Sequence, residues 1–109
     1  MAYYLVTARP VAARIEDLET RLGERAFMEL SPFGRALSSS LERARRLPDG
    51  TAVWEEEDYC RPPLAQERAA VLDHYFEGIS VEPVERGQGW QQISGLPSLF
   101  PELARSSAE

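Results

Sequence analysis

The chain of 109 residues is 43% hydrophobic, and this size and composition predict one globular domain with a single core. Its formal net charge of −6 argues against a nucleic-acid partner, because proteins that bind nucleic acid present clustered positive charge. All twelve basic residues are arginine, which excludes Schiff-base and P-loop chemistry that needs a lysine. The apolar runs are too short for a membrane span or a leader, so we expect a cytoplasmic protein without a membrane partner. Cys60 is the only cysteine, which excludes an internal disulfide.

The first fifty residues predict a strand followed by two helices. Aromatic and β-branched side chains at residues 3–7 indicate the strand. The apolar residues after it recur at helical spacing and form two stripes, each of which marks one buried helix face. The stripes consist of Val11, Ile15, Leu18 and Leu22, and of Phe33, Leu37, Leu41 and Ala44. Residues 27–30, between the two helices, fit either a short strand or a helical turn.

The second half begins with a strand and continues into a third helix. Residues 51–54 are largely apolar or β-branched and predict the strand. Pro62 and Pro63 then open a helix, which Gly78 ends. Residues 79–84 alternate between apolar and polar side chains, as in a half-buried strand. Because proline cannot donate to a ladder, Pro83 places that strand at a sheet edge or marks its end.

Together these elements predict an α+β domain with a small sheet of three or four strands packed with helices, in the order β-α-(β)-α-β-α-β. The bracketed strand is the ambiguous segment at residues 27–30. If it is a strand, the order approaches the ferredoxin-like β-α-β-β-α-β plan with one inserted helix. A fold of this kind hosts many activities, so the topology alone predicts no function.

The C-terminal residues differ in character from the rest. Glycine and proline recur among them and interrupt regular structure, yet the large apolar side chains are too many for a solvated tail. These side chains are Trp90, Ile93, Leu96, Leu99, Phe100 and Leu103. We therefore assign residues 1–86 to a single α+β domain and residues 87–109 to an irregular apolar extension packed on the domain or on a partner. A second copy of the chain is the favoured partner, in a homodimer.

Four consecutive carboxylates, here called the acidic run, stand between the second strand and the third helix. If the strand continues through them, alternation places Glu55 and Glu57 on one face, and Glu56 and Asp58 on the other with Trp54. Such pairs suit a metal ion or a general acid and base. A structural role is preferred, because a helix dipole stabilises preceding carboxylates and charge at a strand edge deters aggregation. We expect no metal and no cofactor.

Two further residues complete the candidate site. At 100° per residue, Arg68 falls inside an apolar stripe of the third helix, and we expect it to be buried and to pair with the acidic run. Alternatively, Arg68 lines a cleft and holds an anionic ligand. His74 is the only histidine and lies near the C-terminal end of the same helix, where the dipole favours a protonated imidazole. The candidate catalytic residues are Glu55, Glu57, Asp58, Arg68 and His74.

Two functions from different classes fit this sequence. The absence of a recognisable catalytic motif, together with the apolar extension, favours a module without catalysis that associates with itself or with another protein. The alternative is a small enzyme or an anionic-ligand-binding domain that uses the acidic run, Arg68 and His74. The direction of the acids separates the two hypotheses, because a catalytic or binding site requires them to point into a pocket rather than out to water.

Overall fold

The computed structural model describes residues 2–58 and 60–107, and side chains as far as residue 105. The described chain contains a four-stranded sheet and five helices, which confirms the predicted α+β class. No helix in these ranges combines the length and the apolarity that crossing a bilayer requires. In chain order the elements are β1 (Ala2–Pro10), α1 (Ile15–Gly23), α2 (Gly34–Glu42), β2 (Arg45–Arg46), β3 (Ala52–Asp58), α3 (three contiguous segments, Ala65–Glu67, Arg68–Leu72 and Asp73–Tyr75), β4 (Phe76–Val84), α4 (Gln88–Gln92) and α5 (Pro101–Ser107).

The sheet is antiparallel, and its strands lie in the order β2-β3-β1-β4. β1, with its aromatic and β-branched residues, lies in the interior of the sheet. Val6 at its centre is opposite Trp54 of β3 on one side and Val81 of β4 on the other. In chain order the elements follow the ferredoxin-like plan, with α2 as one added helix between α1 and β2.

The fourth strand does not lie at the ambiguous segment of the sequence. Residues 27–30 form a turn, in which the amide of Leu30 donates to the carbonyl of Phe27 at 3.1 Å. Such local bonds engage amides that a strand would donate to its neighbour. The fourth strand is β2, which pairs through Arg45 and Arg46 with β3. The order of elements predicted from the sequence therefore matches the observed order only loosely, because the fourth strand follows the second helix instead of preceding it.

One face of the sheet carries the main core. The strand residues on this face are buried: Val6, Ala8, Ala52 and Trp54. Leucines in the first three helices, or directly before the third, belong to the same cluster: Leu18, Leu22, Leu37, Leu41, Leu64 and Leu72. Glu56 and Asp58 follow Trp54 at intervals of two residues, so β3 directs both acids toward this helix-covered face.

The middle of α3 departs from α-helical geometry. Residues Arg68–Leu72 form a π-turn, which shifts the phase of the helix so that Glu67 is buried and Arg68 is exposed. Arg68 pairs with Asp73, with Nε and Oδ1 3.2 Å apart, and 46% of its side chain is exposed. The prediction that Arg68 is buried against the acidic run is therefore wrong, because it assumed 100° per residue along the whole helix.

The C-terminal segment packs back onto the domain. Ile93 and Phe100 are buried, and Phe100 belongs to the main core. The chain there also runs close to the start of β2, where the amide of Leu99 donates to the carbonyl of Ala44 at 2.8 Å. Two short helices, α4 and α5, interrupt the irregular backbone. Part of the apolar surface that favoured a homodimer is thus used within the chain, and self-association stays a prediction.

Candidate functional site

Three of the four side chains of the acidic run are buried. The exposed fraction is 5% for Glu55, 1% for Glu56 and 2% for Asp58. α3 adds a fourth buried acid, Glu67, which is 1% exposed. Carboxylates are seldom fully buried unless they are paired or hydrogen-bonded, so the partners of each acid decide its role.

Glu55 lies on the face of β3 opposite to the main core and holds the beginning of α4. Its Oε1 accepts the amide of Gly89 at 2.8 Å and that of Trp90 at 3.4 Å, and its Oε2 accepts the amide of Gly87 at 2.9 Å. Amides at the start of a helix lack partners within it. A Cβ on Gly89 would lie 2.9 Å from Oε1 of Glu55, so this close approach requires glycine. The contacts of Glu55 are those of a helix-capping residue.

Asp58 faces the core and fixes the loop that leads into α3. Its Oδ2 accepts the amide of Leu64 at 2.6 Å, and its Oδ1 accepts the amide of Cys60 at 3.1 Å. Leu64 has a φ of 64°, a left-handed conformation that leucine rarely adopts. Burial acts to raise the pKa of Asp58, but the amide donors outweigh it and hold this pKa below its ordinary value. Asp58 is thus a fixed and charged carboxylate.

Cys60 and Glu67 lie beside Asp58. The thiol of Cys60 donates to Oε1 of Glu67, with Sγ and the oxygen 3.7 Å apart. One potential ligand atom from each of the three residues lies within 4.8 Å of the other two. We call Asp58, Cys60 and Glu67 the thiol–carboxylate cluster.

The cluster contains one acid whose pKa is lowered beside two groups whose pKa values are raised. Burial, together with the charge of Asp58, raises the pKa of Glu67. The backbone of Gln66 favours the thiolate of Cys60, but burial and the neighbouring carboxylates outweigh it and raise the pKa of the thiol. Nucleophilic chemistry requires a thiolate, so this environment does not activate Cys60 as a nucleophile.

The cluster lines a cavity of about 200 Å³ between the end of β3 and the segment that begins α2. Pro32, Phe33 and Ala36 supply an apolar part of the wall, and Glu57 and Gln66 also line it. Pockets for drug-sized ligands have volumes of about 300 to 1,000 Å³. This smaller cavity therefore suits an ion or a molecule of few atoms.

Glu56 precedes Asp58 by two residues on the same face of β3. The indole N–H of Trp54 donates to its Oε1 at 3.1 Å, while its Oε2 is buried and has no hydrogen-bond partner among the described residues. Burial, followed by the charge of Glu67, raises the pKa of Glu56 well above its ordinary value. Leaving a buried polar atom without a partner costs about 1–3 kcal/mol. Hydrogen bonding within the fold therefore accounts for the burial of Glu55 but not for the burial of Glu56.

Within the described parts of the chain, the buried acids Glu56, Asp58 and Glu67 belong to none of the three ion pairs found. Those pairs are exposed and join Arg21 to Asp17, Arg68 to Asp73, and Arg105 to Glu102.

The candidates from the sequence fall into separate places. Glu57 and Asp58 line the cavity, whereas Glu55 caps α4. His74 is exposed on α3, where its ring lies 6.5 Å from the ring of Tyr75. Arg68 is exposed beside Asp73, as described above. The structure therefore does not assemble the five candidates into one site.

The sequence analysis left three residues of the observed site out of its candidates: Glu56, Cys60 and Glu67. A signal for Glu56 was present, because alternation placed it on the face of Trp54, a large apolar residue that marks the core. Glu67 lies three residues after Leu64 and four before Val71, which is the spacing of a buried helix face. For Cys60, in the loop between β3 and α3, the sequence offered no comparable signal.

A larger cavity of about 550 Å³ lies at the opposite end of the sheet. Its lining includes Arg9, Arg46 and Asp49, which are exposed and carry charges of both signs. In the described chain, none of the buried acids lines this cavity, whereas Asp58 and Glu67 line the smaller one. The buried acids in its lining therefore distinguish the smaller cavity from the larger one.

Comparison of the chain with protein-family models, with curated proteins and with solved structures finds no match.

Proposed function

We propose that this domain binds a cation in the cavity lined by the thiol–carboxylate cluster. The single observation that carries the proposal is that Glu56, Asp58 and Glu67 are buried close enough for their charges to act on one another, while none of them belongs to an ion pair within the described residues. Burying a charged group without a partner costs several kcal/mol, so a buried anionic site needs a neutralising charge. A bound cation supplies that charge, and the cavity gives it access.

The charge of the cavity wall favours a cation over the anionic ligand that the sequence suggested. Arg68 was the residue expected to hold an anion, and it lies exposed beside Asp73. The wall instead carries Asp58, Glu57 and Glu67, whose negative charge attracts cations and repels anions. Phe33 also lines the cavity, and an aromatic side chain is a favourable neighbour for a positive group.

The amide donors around Asp58 support a binding role rather than a purely structural one. They hold its carboxylate in one orientation, and a fixed ligand group loses little conformational entropy when it binds. Glu67 approaches from a different element, α3, so β3 and α3 would both contact the bound cation. Binding would then stabilise the folded chain, because no such site exists in the unfolded one.

Thermal unfolding of the full chain, after treatment with a chelator, tests this proposal. Separate samples at constant ionic strength and neutral pH would contain Mg²⁺, Ca²⁺, Zn²⁺ or methylammonium. We expect at least one cation to raise the melting temperature, since a ligand at one hundred times its Kd stabilises by about 2.7 kcal/mol. Glu67→Gln should reduce that shift, whereas Asp73→Asn, which removes an exposed acid of the same helix, should leave it unchanged.

Two outcomes would contradict the proposal. If none of the four cations shifts the melting temperature, the cavity does not bind them. If Glu67→Gln folds and retains the full shift, the cation binds elsewhere on this acidic chain. Circular dichroism of each variant separates a failure to bind from a failure to fold.

A further inference from the structure

We infer that the bound cation is a divalent transition-metal ion of the zinc class, held by Asp58, Cys60 and Glu67, with Glu56 as a neighbouring acid that supports the site. This inference rests on the proposed function and narrows it to one kind of cation. It assigns a role to Cys60, and it places a positive charge near the unpartnered oxygen of Glu56.

The distances in the cluster suit two ligands of one ion. In a tetrahedral zinc site, bond lengths of about 2.3 Å to sulfur and about 2.1 Å to oxygen place the two ligand atoms about 3.6 Å apart. Sγ of Cys60 and Oε1 of Glu67 are 3.7 Å apart. The Asp58 ligand atom lies within 4.8 Å of both, so a small closure of the site completes three contacts. In the ion-free protein, the thiol proton occupies the space between Cys60 and Glu67.

The types of ligand select the class of metal. Mg²⁺ and Ca²⁺ prefer sites made entirely of oxygen atoms, and a thiolate adds nothing to their binding. Zinc and related transition metals bind thiolates and carboxylates together. The presence of Cys60 between two carboxylates therefore favours a transition metal over the alkaline-earth ions.

The unpartnered oxygen of Glu56 is an observation that does not depend on the geometry of the cluster. Its Oε1 is held by the indole of Trp54, which leaves Oε2 as a buried acceptor with no hydrogen-bond partner among the described residues. Glu56 shares one face of β3 with Asp58, and the charge of Glu67 acts on its carboxyl group. A metal ion held by the cluster would stabilise the nearby carboxylate of Glu56, and residues around a metal site commonly tune its affinity in this way.

The π-turn of α3 contributes to the same site. Such turns insert one extra residue into a helix and are frequent at functional sites. Here the turn begins directly after Glu67, so the acid faces the cavity while Arg68, the next residue, is exposed. An ideal α-helix would bring the guanidinium of Arg68 closer to the acids, where it would compete with a metal ion for them.

Metal binding at this site exchanges protons for the ion. The thiol of Cys60 must lose its proton to become a ligand, and a proton on Glu67 must also leave. One Zn²⁺ enters and two protons go to the solvent, so the net charge of the three residues together with the ion is unchanged while each anionic ligand atom gains a positive partner. No oxidant, reductant or further reactant takes part.

Titration of the chelator-treated full chain with Co²⁺, followed by competition with Zn²⁺, tests this inference. We expect one equivalent of Co²⁺ to bind, with a sulfur-to-cobalt charge-transfer absorption and the visible bands of a four-coordinate ion, and Zn²⁺ to displace it. Cys60→Ser should abolish the charge-transfer absorption and weaken Zn²⁺ binding at least about tenfold. Glu56→Gln should also weaken Zn²⁺ binding about tenfold or more, while the control Asp73→Asn should bind like the unmodified chain.

The possible outcomes separate this inference from the proposed function. If Mg²⁺, Ca²⁺ or methylammonium stabilises the protein but Co²⁺ and Zn²⁺ do not bind, the cation site stands and the metal assignment is overturned. If Co²⁺ binds without a charge-transfer absorption, or if folded Cys60→Ser binds Zn²⁺ with unchanged affinity, the thiol is not a ligand and the inference also fails. If no cation binds, both proposals are wrong.

Discussion

Glu55 and Glu56 are neighbours in the sequence and are almost equally buried, yet they lie in opposite situations. Glu55 faces α4 and accepts three backbone amides, those of Gly87, Gly89 and Trp90. Glu56 faces the helix-covered core, accepts one indole N–H, and has one oxygen without a partner in the described chain. The difference arises because successive strand residues point to opposite faces of the sheet.

This comparison teaches that burial alone does not reveal the role of an acid. The fold surrounds Glu55 with donors, so its burial contributes to stability. The fold leaves Glu56 poorly solvated and next to Glu67, so its burial costs stability in the absence of a ligand. Natural proteins tolerate such costs chiefly where a function requires the group. We therefore expect substitutions of acids on the two faces of β3 to change the stability of the protein in opposite directions.

The largest effect should come from removing the carboxylate that caps α4. Glu55→Ala leaves three amides without their acceptor, and at about 1 kcal/mol for each we expect a loss of about 3 kcal/mol in the free energy of unfolding. Urea unfolding measured by tryptophan fluorescence gives this value. Glu82→Ala is the matched control, because Glu82 is an exposed acid on the same face of the sheet, and it should change stability by less than about 0.5 kcal/mol. Equal stability of the two variants would mean that the cap is not needed.

A smaller loss should follow when the capped helix is pushed away from Glu55. The new Cβ of Gly89→Ala would lie 2.9 Å from Oε1 and 3.2 Å from Cβ of Glu55, so the helix or the acid must shift. We expect a cost of about 1–2 kcal/mol, as for other overpacked sites. Gly95→Ala is the control, because its Cβ would meet no atom within 4 Å, and it should be close to neutral. A neutral Gly89→Ala would show that the contact with Glu55 can relax without cost.

The sequence was sufficient to predict most of the fold. Apolar periodicity gives the helices around Leu18 and Leu37, and the β-branched residues around Val6 give the interior strand. The sequence was not sufficient to predict β2, because two arginines carry no strand signal. Their pairing with β3 depends on contacts between distant parts of the chain. Turn bonds inside residues 27–30 likewise prevailed over their apolar composition.

The candidate site was less predictable than the fold. Strand alternation separates Glu55 from Glu56 correctly, and it already placed Glu56 and Asp58 on the face of Trp54. Helical periodicity misplaced Arg68, because nothing in the sequence marks the π-turn that changes the phase of α3. Contact between Cys60 and Glu67 depends on how the loop folds around Asp58, and local sequence patterns do not report such a contact.

The central claim is that Glu56 reduces stability and serves binding, and Glu56→Gln tests it most directly. Because the pKa of Glu56 is raised in the folded state, the folded chain binds more protons than the unfolded one above about pH 4.5, so stability falls as the pH rises. In chelator-treated protein, Glu56→Gln should therefore match the unmodified chain near pH 4 and exceed its free energy of unfolding near pH 7. With Zn²⁺ at neutral pH, the same variant should show a smaller rise in melting temperature than the unmodified chain. A variant that is destabilised at pH 7 like Glu55→Ala, and that keeps the full response to Zn²⁺, would contradict the account.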